Sequence, residues 1–177
     1  MQKEIEIPEG VKVELSPDGI LTVSGPKGEL KRQFSHPWVR LWIEDGKVIA
    51  KSENDRRKNK AVVGTWIAHV QNMFSGVLHG WEARLKIVYS HFPVKVAIEG
   101  QEAKIQNFMG ERKPRIAKIL PGVEVQVKGA DIIVKGIDKE KVGQTTANFE
   151  IATKVKNRDR RIFSDGIWIT QKPKVVE

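Results

Sequence analysis

The chain has 177 residues, 40% of them hydrophobic and 30% charged, with a net charge of +9 at pH 7 and no cysteine. That length accommodates one domain or two small ones. The missing cysteines exclude disulfides, thiolate metal sites and thiol nucleophiles. No apolar run reaches the roughly 18 residues of a membrane-spanning helix, and the N-terminal MQKEIEIPEG is polar, without a signal-peptide core. These features set the expectation of a cytoplasmic protein. The charge is unevenly divided. Residues 1–82 carry twelve Lys and Arg against eleven Asp and Glu, whereas residues 83–177 carry nineteen against eleven. Solubility gives no reason for such an imbalance, and a polyanionic partner gripped by the second half does.

In chain order, residues 10–15 (GVKVEL) alternate apolar and polar, as a half-buried strand does, and Asp18-Gly19 turns the chain into a second strand over 20–24. Gly25-Pro26-Lys27-Gly28 reads as another turn, followed by a strand over 30–34. In residues 38–44, Val39, Leu41 and Ile43 fall on one face and Trp38, Arg40 and Trp42 on the other; Asp45-Gly46 then closes a hairpin into 47–51. Here the period changes. Val62/Val63, Trp66/Ile67, Val70 and Met73/Phe74 are spaced for a helix, capped near Asn54 or Asp55 and stopped at Gly76.

The second half repeats this plan. Residues 94–98 match 11–15, and 123–136 (VEVQVKGADIIVKG) match 39–52 (VRLWIEDGKVIAKS) position for position. A helix over 142–155 then falls where 62–74 fell, after a connection about five residues shorter. An offset of 83 to 84 residues across both strand blocks marks an internal duplication. The predicted fold is α+β: two tandem homologous domains, residues 1–81 and 82–177, each a mainly antiparallel sheet covered by one helix, joined through the strand-like 83–88.

The second helix and the segment after it stand out. Asp138 suits an N-cap, and Val142, Thr145, Phe149 and Ala152 form an apolar stripe that Ile151 and Val155 widen. Lys154 and Lys156 read as the helix end. With Arg158, Arg160 and Arg161 they place five cations in eight residues, opposed by Asp159 alone. Asp165-Gly166 reads as a hairpin turn into IWIT.

Other constellations yield little chemistry. Lys27 in GPKG lacks the spacing and the following helix of a phosphate loop. His36, His69, His79 and His91 show no metal-ligand spacing, and no nucleophile elbow or carboxylate pair is present. The chain is therefore read as a non-enzyme without catalytic residues, cofactor, metal or small-molecule substrate. Trp38 and Trp42 fit either packing under a loop or a protein-docking face. The basic run over 56–60 sits in a near-neutral half and reads as a solvated face. Two candidate nucleic-acid contacts remain, each beside turn residues: Arg112, Lys113 and Arg115, and Lys154, Lys156, Arg158, Arg160 and Arg161.

Several stretches resemble a known family. IPEGV (7–11), SGPKGEL (24–30) and Gly64-Thr65 followed by Asn72-Met73 and Gly76-Val77 are similar to large-subunit ribosomal protein six. So are LKIVYSHFPV (85–94), IQNFMGERKPR (105–115) and VGQTTANFEIATKVKNRDRRIFSDGIW (142–168), in forms like those of the archaeal and eukaryotic branch. The resemblance spans almost the whole chain. It implies two tandem α+β domains, a structural role in the large ribosomal subunit, and binding to large-subunit rRNA chiefly through the C-terminal domain. It further implies a position near the sarcin–ricin loop and the stalk base, where translation factors dock, with neighbouring ribosomal proteins as partners. Bacterial members carry a Pro/Lys/Gly-rich stretch after the second helix where this chain has KNRDRRIFSDG, so contacts do not transfer there residue by residue.

Overall fold

A computed structural model of the chain describes residues 1–159 and 161–176. Arg160, one of the candidate cations, lies outside the described residues. The chain divides into two compact units, Met1–Gly80 and Trp81–Glu177.

The first unit contains β1 (Gln2–Glu6), β2 (Lys12–Leu15), β3 (Ile20–Gly25), β4 (Gly28–Gln33), β5 (Val39–Glu44), β6 (Lys47–Ser52) and α1 (Arg57–Leu78). Its two three-stranded antiparallel sheets run β2-β3-β4 and β1-β6-β5. The helical periodicity places Val63, Trp66, Val70, Met73, Phe74 and Val77 on one buried face of α1, in a common core with Leu21, Val23, Val48 and Ala50. Phe34 meets Trp66 edge-on, with ring centroids 5.3 Å apart. The GPKG stretch is the β3–β4 turn, pressed against the helix end: a Cβ on Gly25 would come within 2.8 Å of Val77.

Two boundaries differ from the sequence reading. The helix runs past Gly76 to Leu78 and ends where Gly80, at φ +82°, donates its amide to the Ser75 and Gly76 carbonyls; glycine adopts that left-handed geometry without steric cost. At the other end Arg56 is the N-cap, with no side-chain cap bond, and Asn54 instead accepts from the Arg56 amide at 3.4 Å and from the Asn59 side chain. Strand β1 had no forecast. It is an exposed edge strand in which only Ile5 packs on the core, so it lacks apolar alternation and is held partly by the Lys47–Glu4 pair at 3.0 Å.

The second unit contains β7 (Trp81–Val88), β8 (Lys95–Glu99), β9 (Glu102–Gln106), β10 (Arg115–Lys118), β11 (Val123–Lys128), β12 (Asp131–Gly136), α2 (Lys139–Ala152) and β13 (Gly166–Val175). Its antiparallel sheets run β8-β9-β10 and β11-β12-β7-β13. The duplication is visible in the register. Val39 pairs with Ser52 across β5/β6, and Val123 pairs with Gly136 across β11/β12, each partner 84 residues on. Both domains therefore have the α+β plan expected of them, with β13 added to the second sheet.

Four expectations are corrected here. Residues 83–88 are not a connector; they belong to β7, flanked by β12 and β13, and bury Ala83, Leu85 and Ile87. Asp165-Gly166 makes no hairpin, because Gly166 opens β13 and pairs with Val88 of β7, a distant segment. Strand β13 runs on through Pro173, which an edge strand tolerates because no ladder amide is needed there. Helix α2 ends at Ala152, before Val155, and Ile151 points outward at 65% exposure instead of widening the core stripe. Val142, Thr145 and Phe149 of that stripe are buried, in or against the core with Leu85, Ile132, Val134 and Ile167, and Ala152 is half-buried beside it.

Candidate nucleic-acid interface

The cationic loop is built by the way α2 stops. Asp138 caps the start, accepting from the Glu140 amide at 2.9 Å and the Lys141 amide at 3.4 Å. At the other end the buried Thr153 hydroxyl donates to the Phe149 carbonyl at 3.0 Å and accepts the Ile167 amide at 2.9 Å. Val155 is buried and fixes the underside of the loop, while Asn157 reverses it at φ +57°. Lys154, Lys156, Arg158 and Arg161 are left exposed. Lys154 and Lys156 lie beyond the last helical residue, Ala152, and the helix dipole, which fades past its final turn, accounts at most for Lys154.

These cations are not equivalent. The Arg161 guanidinium forks onto Asp159, with Nη2 at 2.8 Å and Nε at 3.2 Å, and holds that carboxyl below its ordinary value. Arg158 lies over the ring of Phe163, 4.9 Å from its centroid.

The second basic run splits. Arg112 and Lys113 are exposed, but Arg115 opens β10 and turns inward. Its guanidinium pairs with both Glu111 carboxylate oxygens at 2.6 and 2.8 Å, donates to the Ala152 and Lys154 carbonyls at 3.0 Å each, and covers the Phe108 ring at 4.4 Å. Arg115 thus caps the carboxyl end of α2 and ties the 107–115 segment to the cationic loop. It does not present its charge outward. Glu111 is held below the usual carboxylate range chiefly by its hydrogen bond to Arg115, with a smaller contribution from Lys156. Two runs some forty residues apart in sequence therefore form one cationic face.

Sequence reasoning missed the aromatic and aliphatic side chains around that face. Tyr89, Phe92, Ile162 and Trp168 are all substantially exposed, and Phe92, Ile162, Phe163, Met109 and Arg158 share one cleft. Their signal is faint: YSHF comes after β7 without continuing its alternation, which marks apolar residues that no strand buries. By structural unit, Met1–Gly80 holds twelve cations against ten anions and Trp81–Glu177 nineteen against twelve. An exposed cationic ridge beside exposed rings suits a folded polyanion with accessible bases.

Comparison with known proteins decides the family. The model of the family described as ribosomal protein L6 matches residues 7–80 and 92–166, one stretch in each unit. The chain belongs to the ribosomal protein L6 family. It is 50% identical over 170 residues to the large ribosomal subunit protein uL6 of Methanosarcina mazei, covering 96% of each chain. It is 51% identical over 172 residues to uL6 of Aeropyrum pernix, covering 96% of this chain and 93% of that one. With uL6 of Ignicoccus hospitalis it shares 49% over 170 residues, 93% and 91% of the two chains. These relatives bear out the archaeal-type resemblance. Proteins of the L6 family are ribosomal structural proteins and not enzymes, as expected for this chain. Among the described residues no cluster of His, Asp or Glu could hold a metal ion, and no helix is long and apolar enough to cross a membrane.

Proposed function

We propose that this L6-family chain is a structural constituent of the large ribosomal subunit, cytoplasmic within the ribosome, and that its second unit binds large-subunit rRNA. Lys154, Lys156, Arg158 and Arg161, together with Arg112 and Lys113, contact the phosphate backbone. Arg160 belongs to the same run, and Arg115 serves as the residue that positions it. The observation that carries this reading is the joining of the two basic runs by Arg115, whose bonds to the Ala152 and Lys154 carbonyls form one exposed cationic face. The finer placement, near the sarcin–ricin loop and stalk base with neighbouring ribosomal proteins alongside, rests on the family resemblance; the relatives' name as large-subunit proteins supports the subunit. Crosslinking from residues 154–161 in the assembled particle tests it. The expected products join this loop to rRNA of the factor-binding region. Products confined to ribosomal proteins would overturn RNA binding by the loop, and products with distant rRNA would overturn the placement.

A second reading draws on Trp38, which is 50% exposed, and on Trp42, whose indole donates to Glu44 at 3.0 Å. That face suits a protein partner, whose binding would be nearly indifferent to salt, unlike phosphate binding.

A further inference from the structure

A cleft of about 250 Å³ opens beside the cationic loop, lined by Ser90, His91, Phe92, Met109, Arg158, Ile162, Phe163 and Asp165. That volume falls just below the roughly 300–1,000 Å³ of sites that enclose drug-sized ligands. It suits a single flat ring system. The walls suit one too. Phe92 is 45% exposed, yet its ring is backed by Gly110, where an added Cβ would come within 3.1 Å of the ring. One side of the ring is thus held against backbone while the ring remains open to solvent. Gly110 has φ +75°, so glycine fits this contact on both steric and conformational grounds. Arg158 lines the same cleft, and its guanidinium carbon lies 4.9 Å from the centroid of the Phe163 ring. An aromatic face and a guanidinium plane are the two surfaces on which unpaired bases stack.

The polar edge of the cleft specifies more. Asp165 is 6% exposed, and among the described residues its two carboxylate oxygens take only long hydrogen bonds from Ser90, 3.5 Å from the amide and 3.4 Å from the hydroxyl. A carboxylate offers about four lone-pair sites, so both oxygens keep capacity for a further donor. A buried acceptor pair at the edge of a stacking slot matches a base with two adjacent N–H donors. Among the four RNA bases only guanine presents that pair, at N1 and N2, on its Watson–Crick edge. Adenine and cytosine place an acceptor beside their amino group, and uracil sets its single N–H between two carbonyls. We infer that this cleft receives one unstacked guanine of a bound RNA strand, stacked against Phe92 and Arg158 and read by Asp165. The inference rests on the RNA-binding reading above and adds a base-specific pocket to its backbone contacts.

The test uses the full chain and single-stranded U-rich heptamers with guanine, adenine or inosine at the centre, followed by fluorescence anisotropy at two salt concentrations. Inosine keeps the N1 donor and lacks the amino group. The guanine heptamer is expected to bind about tenfold more tightly than the other two. Asp165→Asn should erase the difference. Phe92→Ala, at an exposed position, should weaken guanine binding about tenfold while leaving the salt dependence unchanged. Thermal melts of both variants separate lost recognition from lost folding, and Phe92→Ala alone suffices if Asp165→Asn does not fold. Equal, salt-dependent binding of all three heptamers, unaffected by Phe92→Ala, would overturn the pocket and leave backbone binding standing. No salt-dependent binding to the heptamers or to an rRNA fragment would overturn both.

Discussion

The Thr153 hydroxyl accepts the backbone amide of Ile167 at 2.9 Å while donating to the Phe149 carbonyl at 3.0 Å. One buried side chain therefore terminates α2 and anchors the start of β13, which closes both ends of the cationic loop. Thr153→Val keeps the shape but leaves the Ile167 amide without its acceptor inside the core. An unsatisfied buried donor costs about 1–3 kcal/mol. The expected outcome is a denaturation midpoint lowered accordingly, with faster hydrogen exchange at the Ile167 amide. An unchanged midpoint would mean that the loop ends are held by other contacts.

Arg115 and Arg158 should respond oppositely to truncation, although both are arginines from basic runs. Arg115 satisfies two backbone carbonyls and a carboxylate, and hydrogen bonds to charged groups contribute about 1.5–3 kcal/mol. Arg115→Ala should lower stability by roughly that amount. Arg115→Lys should recover little of it, since one ammonium cannot reproduce the fork. Arg158→Ala, at an exposed position, should leave the melting temperature within about a degree or two and act on RNA affinity. Equal destabilisation by both variants would contradict this division.

The same pair sets a pH dependence. Glu111 has its folded pKa lowered from 4.5, first by the hydrogen bond from Arg115. A carboxyl lowered on folding contributes stability that is fully present above its unfolded value and is lost as pH falls through the folded one. Glu111→Gln should therefore be less stable than the parent at pH 7, and the gap should close below about pH 4.5. Glu111 is 42% exposed, so solvent screening keeps the gap under about 1 kcal/mol. Paired thermal melts from pH 7 down to pH 3 measure it. A gap that widens on acidification would contradict the assigned sign.

Which features could be read from sequence depends on which contacts are local. The β5/β6 and β11/β12 hairpins, the α1 stripe and the Asp138 cap each depend on residues a few positions apart, so alternation, helical spacing and a short carboxylate disclose them. Strand β13 pairs with β7 across 78 to 94 residues, and Asp165-Gly166 looks like a hairpin turn until that distant partner is known. Strand β1 carries too few apolar residues to show a period. At the candidate site, charge density marked the cationic loop correctly as exposed. It could not separate Arg115, consumed by carbonyls 37 and 39 residues away, from Arg112 and Lys113, which face solvent. Nor could it disclose the Phe92 cleft, whose walls come from three separate segments.

The arginines of the cationic loop should carry the salt dependence of RNA binding. Each phosphate contact contributes just under one unit to the slope of log affinity against log salt, a duplex value that serves here as a guide. Replacing Arg158, Arg160 and Arg161 with Ala should flatten that slope by about two units, nearer two than three because Arg161 is already paired with Asp159. A triple variant with the parent slope would show that the loop is a solvated surface.

The second unit should fold and bind alone. Its sheets close within the unit: every strand from β7 to β13 finds its partners between residues 81 and 175. It also has its own core, from Leu85, Ile105 and Phe108 through Ile132 and Val134 to Phe149 and Ile167. Phe149 is fully buried there, and truncating such an aromatic costs about 3–5 kcal/mol, so Phe149→Ala should unfold or nearly unfold the isolated unit. With nineteen cations against twelve anions, residues 81–177 should retain most of the affinity of the full chain for large-subunit rRNA. Residues 1–80, with twelve against ten, should bind weakly at physiological salt. Filter binding of each fragment at matched salt measures both. Equal affinity of the two fragments would mean that local geometry in the first unit outweighs the difference in charge, and the division of labour proposed here would fall.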